Sequence, residues 1–333
     1  MLKSDLTAIV PLDLSQRPLD LLRKATRLAK TAEINGLKLI FGHNDRGALA
    51  DRLLTQVLKK YTYTTLVSGK HYGGAVNTSL LRNKAFSYVT TEYLVLLDVD
   101  IWPDLSLLYK YQQRVADNLQ PFYFLPCIYL TPRGSRDLIT GKSNPEKLSD
   151  SFFAFSRKEF LHIASPSSVT IMRTTDYQAV GRFDESFSGH GYEDFDFMIR
   201  LANHYQRLTP CARLLNNDTA RSPLFAAGFR RALGRLCLPT LLEKDFVYHL
   251  HHEKPRASHY YLSRPDNFAR FHSLHQALEH ASSESSTLLE DFLILCRETQ
   301  RNFQDYSALF ENKPGHIDRY DTFKRRLRFL LNE

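Results

Sequence analysis

The sequence predicts an α/β protein: a parallel sheet flanked by helices, closed by a helical C-terminal segment. Three observations predict it. Apolar runs of strand length alternate with segments of helical period between Leu6 and Leu97, the pattern of strand–helix–strand crossovers. Polar or glycine-bearing stretches such as Asn35-Gly36 and Gly42-His43-Asn44-Asp45 separate these runs, as stop signals do. From residue 265 onward the chain reads as helix, with Gly315 its one glycine.

Taken in order, Leu6 to Leu12 (LTAIVPL) is a short buried strand. A helix follows from about Pro18 to Asn35, its Leu21, Leu22, Ala25, Leu28 and Ala29 keeping helical spacing. Leu37 to Phe41 is a second strand, Ala48–Tyr61 a helix and Thr64–Ser68 a third strand. Asn77 to Thr90 reads as helix and Tyr93 to Leu97 as a buried strand ending in Asp98-Val99-Asp100. In open sheets of this kind ligands bind beyond the carboxyl ends of the strands. Both Asp98 and the Gly42–Asp45 loop lie there. A helix near Leu105–Asn118 leads to one apolar strand, Phe122–Leu130, and then to a long loop, Thr131 to Asp150. Ser168 to Arg173 is a strand, and a helix starts around Asp194. The expected division is 1–264 as one domain, with halves 1–104 and 105–264, and 265–333 as a helical extension.

With 333 residues the chain can bury a full core. Its formal charge of +8 favours anionic partners, but no single-strand-binding motif accompanies the aromatic residues, which argues against nucleic acid. Cys127, Cys211, Cys237 and Cys296 form no CxxC pair, so neither a zinc site nor a disulfide framework follows and a reducing compartment is expected. LTAIVPL is too short for a signal peptide, and no apolar run approaches the roughly 18–20 residues that span a bilayer. A cytoplasmic location is expected.

Three stretches carry the chemistry: LLDVDIWPD (Leu96–Asp104), GRFDESFSGHGYEDFDFMIRL (Gly181–Leu201) and FVYHLHHEKP (Phe246–Pro255). Singly, each has a plain explanation: a solvated strand end, a capped helix start and surface histidines. Together they form a set. Two carboxylates at a strand end can hold a hard divalent cation and leave room for phosphate oxygens, and an imidazole in the shell suits Mn better than Ca. If Phe246–His252 is a strand, Val247, His249 and His251 share one face, and His252 reaches the site only if the strand has ended. Glu193 or Asp194 can act as general base on a hydroxyl.

These motifs, in this order, resemble those of glycosyltransferases of the GT-A fold, a Rossmann-like mixed, mainly parallel sheet flanked by helices. They are most similar to the β1,4-galactosyltransferase and chondroitin-polymerase-like branch. The Trp-Gly-x-Glu-Asp motif of that branch appears as His190-Gly191-Tyr192-Glu193-Asp194, with His in place of Trp, and Asp98-Val99-Asp100 is intact. Ile9-Val10-Pro11, Arg17 and Leu81-Arg82-Asn83-Lys84-Ala85 resemble the nucleotide-binding turn and the helix before the metal strand. The resemblance covers about residues 6–255. It implies an inverting transfer from a nucleotide-diphosphate sugar, UDP-linked Gal, GalNAc or GlcNAc, with Mn2+ or Mg2+ as cofactor. The acceptor would be a glycan or lipid-linked glycan in bacterial capsule, lipopolysaccharide or other surface polysaccharide synthesis. Asp194 would be the base and Glu193 the acceptor-sugar ligand. Asp100 and His249 would ligate the metal, with His251 as the second histidine and His252 its competitor. Asp98 would contact the ribose or a metal-bound water, and Pro11, Arg17, Asp45 and Arg82 would line the nucleotide pocket.

Three rival readings remain: a sugar-nucleotide nucleotidyltransferase, a catalytically silent sugar-binding or assembly subunit, and a metallohydrolase built on the histidines. Arg221 to Leu242 alternates apolar residues with arginines, as does the stretch from Phe323 to Leu331. Both could lie on the anionic inner face of the membrane as amphipathic helices, or pack their apolar side on the core.

Overall fold

The computed structural model describes residues 5–208, 213–253, 259–279 and 287–311, with a few positions near the C-terminus. Its centre is a six-stranded sheet. β1 (Leu6–Leu12), β2 (Lys38–Asn44), β3 (Thr64–Gly69) and β4 (Tyr93–Leu96) run parallel. α1 (Pro18–Asn35), α2 (Leu49–Leu58) and α3 (Thr78–Phe86) connect them in turn. After α4 (Leu105–Ala116) the chain forms β5 (Phe122–Phe124) and β6 (Cys127–Leu130), then α5 (Pro132–Ile139), α6 (Pro145–Phe153), β7 (Phe160–Ala164) and β8 (Thr170–Arg173). α7 (Thr174–Ala179), α8 (Glu193–His204), α9 (Gly228–Arg235), α10 (Leu238–Leu242) and β9 (Val247–His249) follow. α11 (His259–Leu262), α12 (Arg264–His275) and α13 (Leu288–Glu298) come last.

The strand order is β3-β2-β1-β4-β8-β5, with β8 antiparallel to both its neighbours, and β7-β6-β9 make a second sheet. The result is the mixed, mainly parallel sheet that the sequence motifs imply. The first six elements keep their expected order and nearly their bounds. Phe122–Leu130 is two strands instead of one: Leu125-Pro126 breaks it, because proline has no N–H for a ladder, and each half joins a different sheet. The expected loop from Thr131 to Asp150 holds two helices. Thr131 and Asn144 accept the N-cap bonds from Gly134 N and Lys147 N, and Pro132 and Pro145 occupy the first helical position.

Alternation along β1 divides the core. Ala8 and Val10 pack towards α1, α2 and α4, against Leu21, Leu54 and Leu108. Ile9 faces the other side, with Ala85, Phe197, Phe229 and, from α12, Phe271. A third cluster joins Phe152, Leu241 and Phe292 around the second sheet. α12 and α13 therefore supply core residues beside elements from 1–264. Arg221–Leu242 is no continuous amphipathic helix; it is split into a 3-10 turn, α9 and α10, and Phe229, Leu233, Leu238 and Leu241 are buried. Its apolar side packs inward. Phe323, Leu327, Leu330 and Leu331 are exposed, whereas Lys324, Arg325, Arg326, Arg328 and Cys211 lie outside the described residues. Cys127, Cys237 and Cys296 are buried and unpaired. Among the described residues no helix is long and apolar enough to cross a membrane.

Candidate active site

The carboxyl ends of β1, β2 and β4 lie side by side, and Asp98 and Asp100 follow β4 directly. Arg82 reaches this edge because α3 sits unusually close to β2: a Cβ on Gly42 would stand 1.9 Å from the Leu81 carbonyl oxygen. Arg82 Nη2 donates to Asp98 Oδ1 (2.8 Å), and Ser168 Oγ donates to Asp98 Oδ2 (2.7 Å). The other guanidinium nitrogen, Nη1, lies 3.0 Å from Asp194 Oδ1. Arg82 itself is 1 % exposed. Burial alone would weaken its charge, but Asp194, Asp98 and Glu193 outweigh that and hold its pKa above the ordinary value. One buried cation thus joins the two carboxylate motifs.

Glu193 and Asp194 open α8 after a strained turn. Gly191 and Tyr192 both have positive φ, +100° and +74°, costly for tyrosine and sustained only by surrounding contacts. Here the Tyr192 ring packs on Phe268 and Phe271 of α12, and its hydroxyl donates to Asn217 Oδ1 (3.0 Å). Asp196 is buried and accepts from Arg200, and lies 2.9 Å from His275 Nε2 at the end of α12. Thr78 Oγ1 donates to Glu193 Oε1 (3.2 Å), and Glu193 Oε2 is buried with no hydrogen-bond partner. Burial, then the Asp194 charge, push the Glu193 carboxyl up. Burial raises Asp194 as well, opposed by Arg82.

Asp100 is 6 % exposed. Burial works to raise its carboxyl, yet the Arg17 hydrogen bond and the charges of His249, Arg17 and Lys24 hold it well below the usual range. Arg17 Nη2 donates to Oδ2 (2.7 Å), and Lys24 Nζ to Oδ1 (2.6 Å). The third stretch runs alongside: Trp102 N donates to Tyr248 O, and Leu250 N to Asp100 O, each at 2.8 Å. Asp100, His249 and His252 each present one ligand atom within 4.8 Å of the others. The strand ends at His249, so the strand alternation that pairs His249 with His251 does not extend far enough, and the turn brings His252 back instead. His252 Nε2 is 3.8 Å from Asp100 Oδ2, whereas His251 is held by its backbone, through Ser135 Oγ and Lys24 Nζ. Tyr129 is stacked between His162 and His249, at 4.2 and 4.3 Å, which orients the His249 ring. Burial pushes the His249 imidazole down to about 4, against the opposing pull of Asp100. A neutral imidazole at physiological pH can ligate. The donor set, one carboxylate and two imidazoles, suits Mn2+ or Zn2+.

The remaining expected nucleotide residues divide. Arg17 is at Asp100. Pro11 lies inside β1 opposite Gly42, and Asp45 caps its own turn through Gly47 N (2.8 Å). Beside them is a group that the motifs did not mark. Arg46 grips Asp13 with Nε and Nη2 and also donates to the carbonyls of Gly73 and Gly74, while Asn44 donates to Asp13 and Tyr72 O. Ser168, Thr78 and Lys24 were missed as well. For Lys24 a signal existed: Arg17, Asp20 and Lys24 share one face at the start of a helix.

The sequence profile described as glycosyltransferase like family 2 matches residues 54–276. No curated protein matches the chain in sequence. It is similar in structure to Staphylococcus aureus TarS 1–349 in complex with UDP, at 15% identity over 60% of this chain and 55% of that one, TM-score 0.39. It is also similar to the catalytic domain of Drosophila β1,4-galactosyltransferase 7 in complex with xylobiose, at 14% identity over 60% of each chain, TM-score 0.31. A mutant of that enzyme was solved with manganese, UDP-Gal and xylobiose, at 13% identity, 60% of each chain and TM-score 0.31. The chain spans 54–60% of the length of TarS 1–349 and the galactosyltransferase structures.

Proposed function

The chain belongs to glycosyltransferase like family 2, and from that membership we propose that it moves a sugar from a nucleotide-diphosphate donor to a glycan hydroxyl, inverting the anomeric carbon. The observation that carries this reading is the Arg82 guanidinium, 2.8 Å from Asp98 and 3.0 Å from Asp194. It ties the donor-side carboxylate to the candidate base. A binding-only subunit has no use for a base so placed.

Asp194 takes the proton of the acceptor hydroxyl. Its two opposing influences, burial upward and Arg82 downward, suit a base that must be ionised near neutral pH yet still accept a proton. Glu193, kept neutral by burial and by the Asp194 charge, offers its unpartnered Oε2 to the acceptor sugar. Asp98 is fixed by Arg82 and Ser168 to meet the donor ribose, with Pro11, Arg17 and Asp45 at the same edge. Asp100, His249 and His252 would hold the divalent cation, Mn2+ in preference to the oxygen-seeking Mg2+. When bound, such a cation stabilises the negative charge that grows on a departing diphosphate. UDP is the nucleotide that the motif resemblance favours, with Gal, GalNAc or GlcNAc as the sugar and a surface or lipid-linked glycan as the acceptor.

A thermal-shift panel of nucleotides and UDP-sugars, each with Mn2+, Mg2+ or chelator, tests the donor assignment, because a ligand of the folded state raises the melting temperature with occupancy. A metal-dependent shift with UDP or one UDP-sugar is expected, and no shift with any nucleotide would overturn it. Asp194→Asn is expected to keep the shift and lose transfer.

A further inference from the structure

Lys24 belongs to no motif, yet its ammonium is buried at the centre of the site. Its side chain is 5% exposed, and Nζ is shared among three oxygens: Asp100 Oδ1 (2.6 Å), Asp20 Oδ2 (3.1 Å) and the His251 carbonyl (3.2 Å). Three acceptors use every N–H of an ammonium, so Lys24 has no donor left for a phosphate. Arg17 covers the same carboxylate with Nη1 at 3.2 Å from Oδ1 and Nη2 at 2.7 Å from Oδ2. The approach to Oδ2 from the His252 side, 3.8 Å away, is the one facing the imidazoles. Asp100 therefore already carries two cations and also faces its two candidate co-ligands.

We propose that Lys24 is a resident cation of the metal site: it neutralises Asp100 in the metal-free chain, and a divalent ion must share that carboxylate with it. Lys24 thus sets a weak, reversible metal affinity, and Asp20 Oδ2, 2.6 Å from Arg17 Nη1 and 3.1 Å from Lys24 Nζ, moderates it by drawing both partly away from Asp100. The physical reason is the repulsion between like charges a few ångströms apart in buried surroundings. A chain with its own counter-charge at Asp100 needs no metal to keep this buried carboxylate compensated. The proposal rests on Asp100, His249 and His252 being the metal ligands.

Mn2+ binding to the purified full chain, followed by the loss of the free-ion electron paramagnetic resonance signal, tests it without any activity assay. His252→Ala should abolish the binding; binding unchanged in that variant would remove the metal assignment itself. Given that control, Lys24→Met should bind Mn2+ at least tenfold more tightly, because one positive charge is gone while Arg17 still pairs Asp100. Asp20→Asn, at a half-exposed position, should bind severalfold more weakly. Tighter binding in Lys24→Met supports competition. Equal or weaker binding in Lys24→Met, or unchanged or tighter binding in Asp20→Asn, would overturn the proposal. Should Lys24→Met fail to fold, Lys24→Gln, which keeps a polar donor without the charge, should also tighten Mn2+ binding, and unchanged or weaker binding there would overturn the proposal.

Discussion

The gathering of Glu193, Asp194 and Asp98 around one buried arginine has consequences for pH. Glu193 and Asp194 titrate as a pair. Transfer that uses Asp194 as base should rise with pH through about 6, and the acid limb should disappear, together with the rate, in Asp194→Asn. A pH–rate profile of kcat/KM checks this. Stability has the opposite slope. The Glu193 pKa is raised in the folded chain, so its contribution is complete below the ordinary value of 4.5 and is lost as pH climbs to about 8. Glu193→Gln cannot ionise, and its melting temperature relative to the parent should improve steadily across that window. The same difference at pH 5 and pH 8 would show that Glu193 is not held neutral. At this scale the sequence was informative about identity and less so about direction. Asp98, Asp100, Glu193, Asp194 and His249 converge, but choosing between His251 and His252 required knowing where a three-residue strand stops.

Elements show where local signals were sufficient and where they were misread. Pro18, Asn35-Gly36 and the apolar spacing between them located α1 to the residue. Thr131-Pro132 and Asn144-Pro145 are equally good helix starts, but the glycines and serines around them suggested a loop. The turn before α8 depends on its neighbour. Gly189 has φ +75°, and a Cβ there would lie 2.6 Å from Ser263 Oγ and 2.9 Å from the Tyr260 carbonyl oxygen. His190 N donates to that same carbonyl (2.8 Å). α11 and α12 thus form the outer wall of the turn that delivers Glu193 and Asp194. Gly189→Ala should push the turn off this wall and lower kcat at least tenfold, while nucleotide binding at β1–β4 is retained; a parallel loss of nucleotide binding would mean that the damage is global.

Considered whole, the molecule buries side chains of α12, α13 and the 3-10 turn after it in the second and third core clusters. Phe271 is 0 % exposed and packs with Tyr192 and Phe229, and Phe292 of α13 stacks edge-on with Tyr306 within the third cluster. We propose that residues up to at least α13 fold as one unit with the catalytic half. Phe271→Ala should then cost about 3–5 kcal/mol in a single cooperative urea transition. A first transition that leaves the nucleotide site intact would instead mark the segment as a separate body.

What the sequence determined by itself is local in origin. Apolar periodicity, caps and strand-end carboxylates depend on neighbours a few residues apart, so the order of elements, the class of sheet and the three chemical stretches were all legible without coordinates. The tertiary structure decided everything that depends on residues distant along the chain. It split Phe122–Leu130 between two sheets, ended β9 in time for His252 to turn back, drew α12 against the turn before α8 and placed Lys24 on Asp100. Helical spacing placed Lys24 on one face with Arg17 and Asp20, but no periodic signature pairs distant segments, because the free energy of each such contact comes from burial and charge pairing between segments that meet only once the sheet has formed.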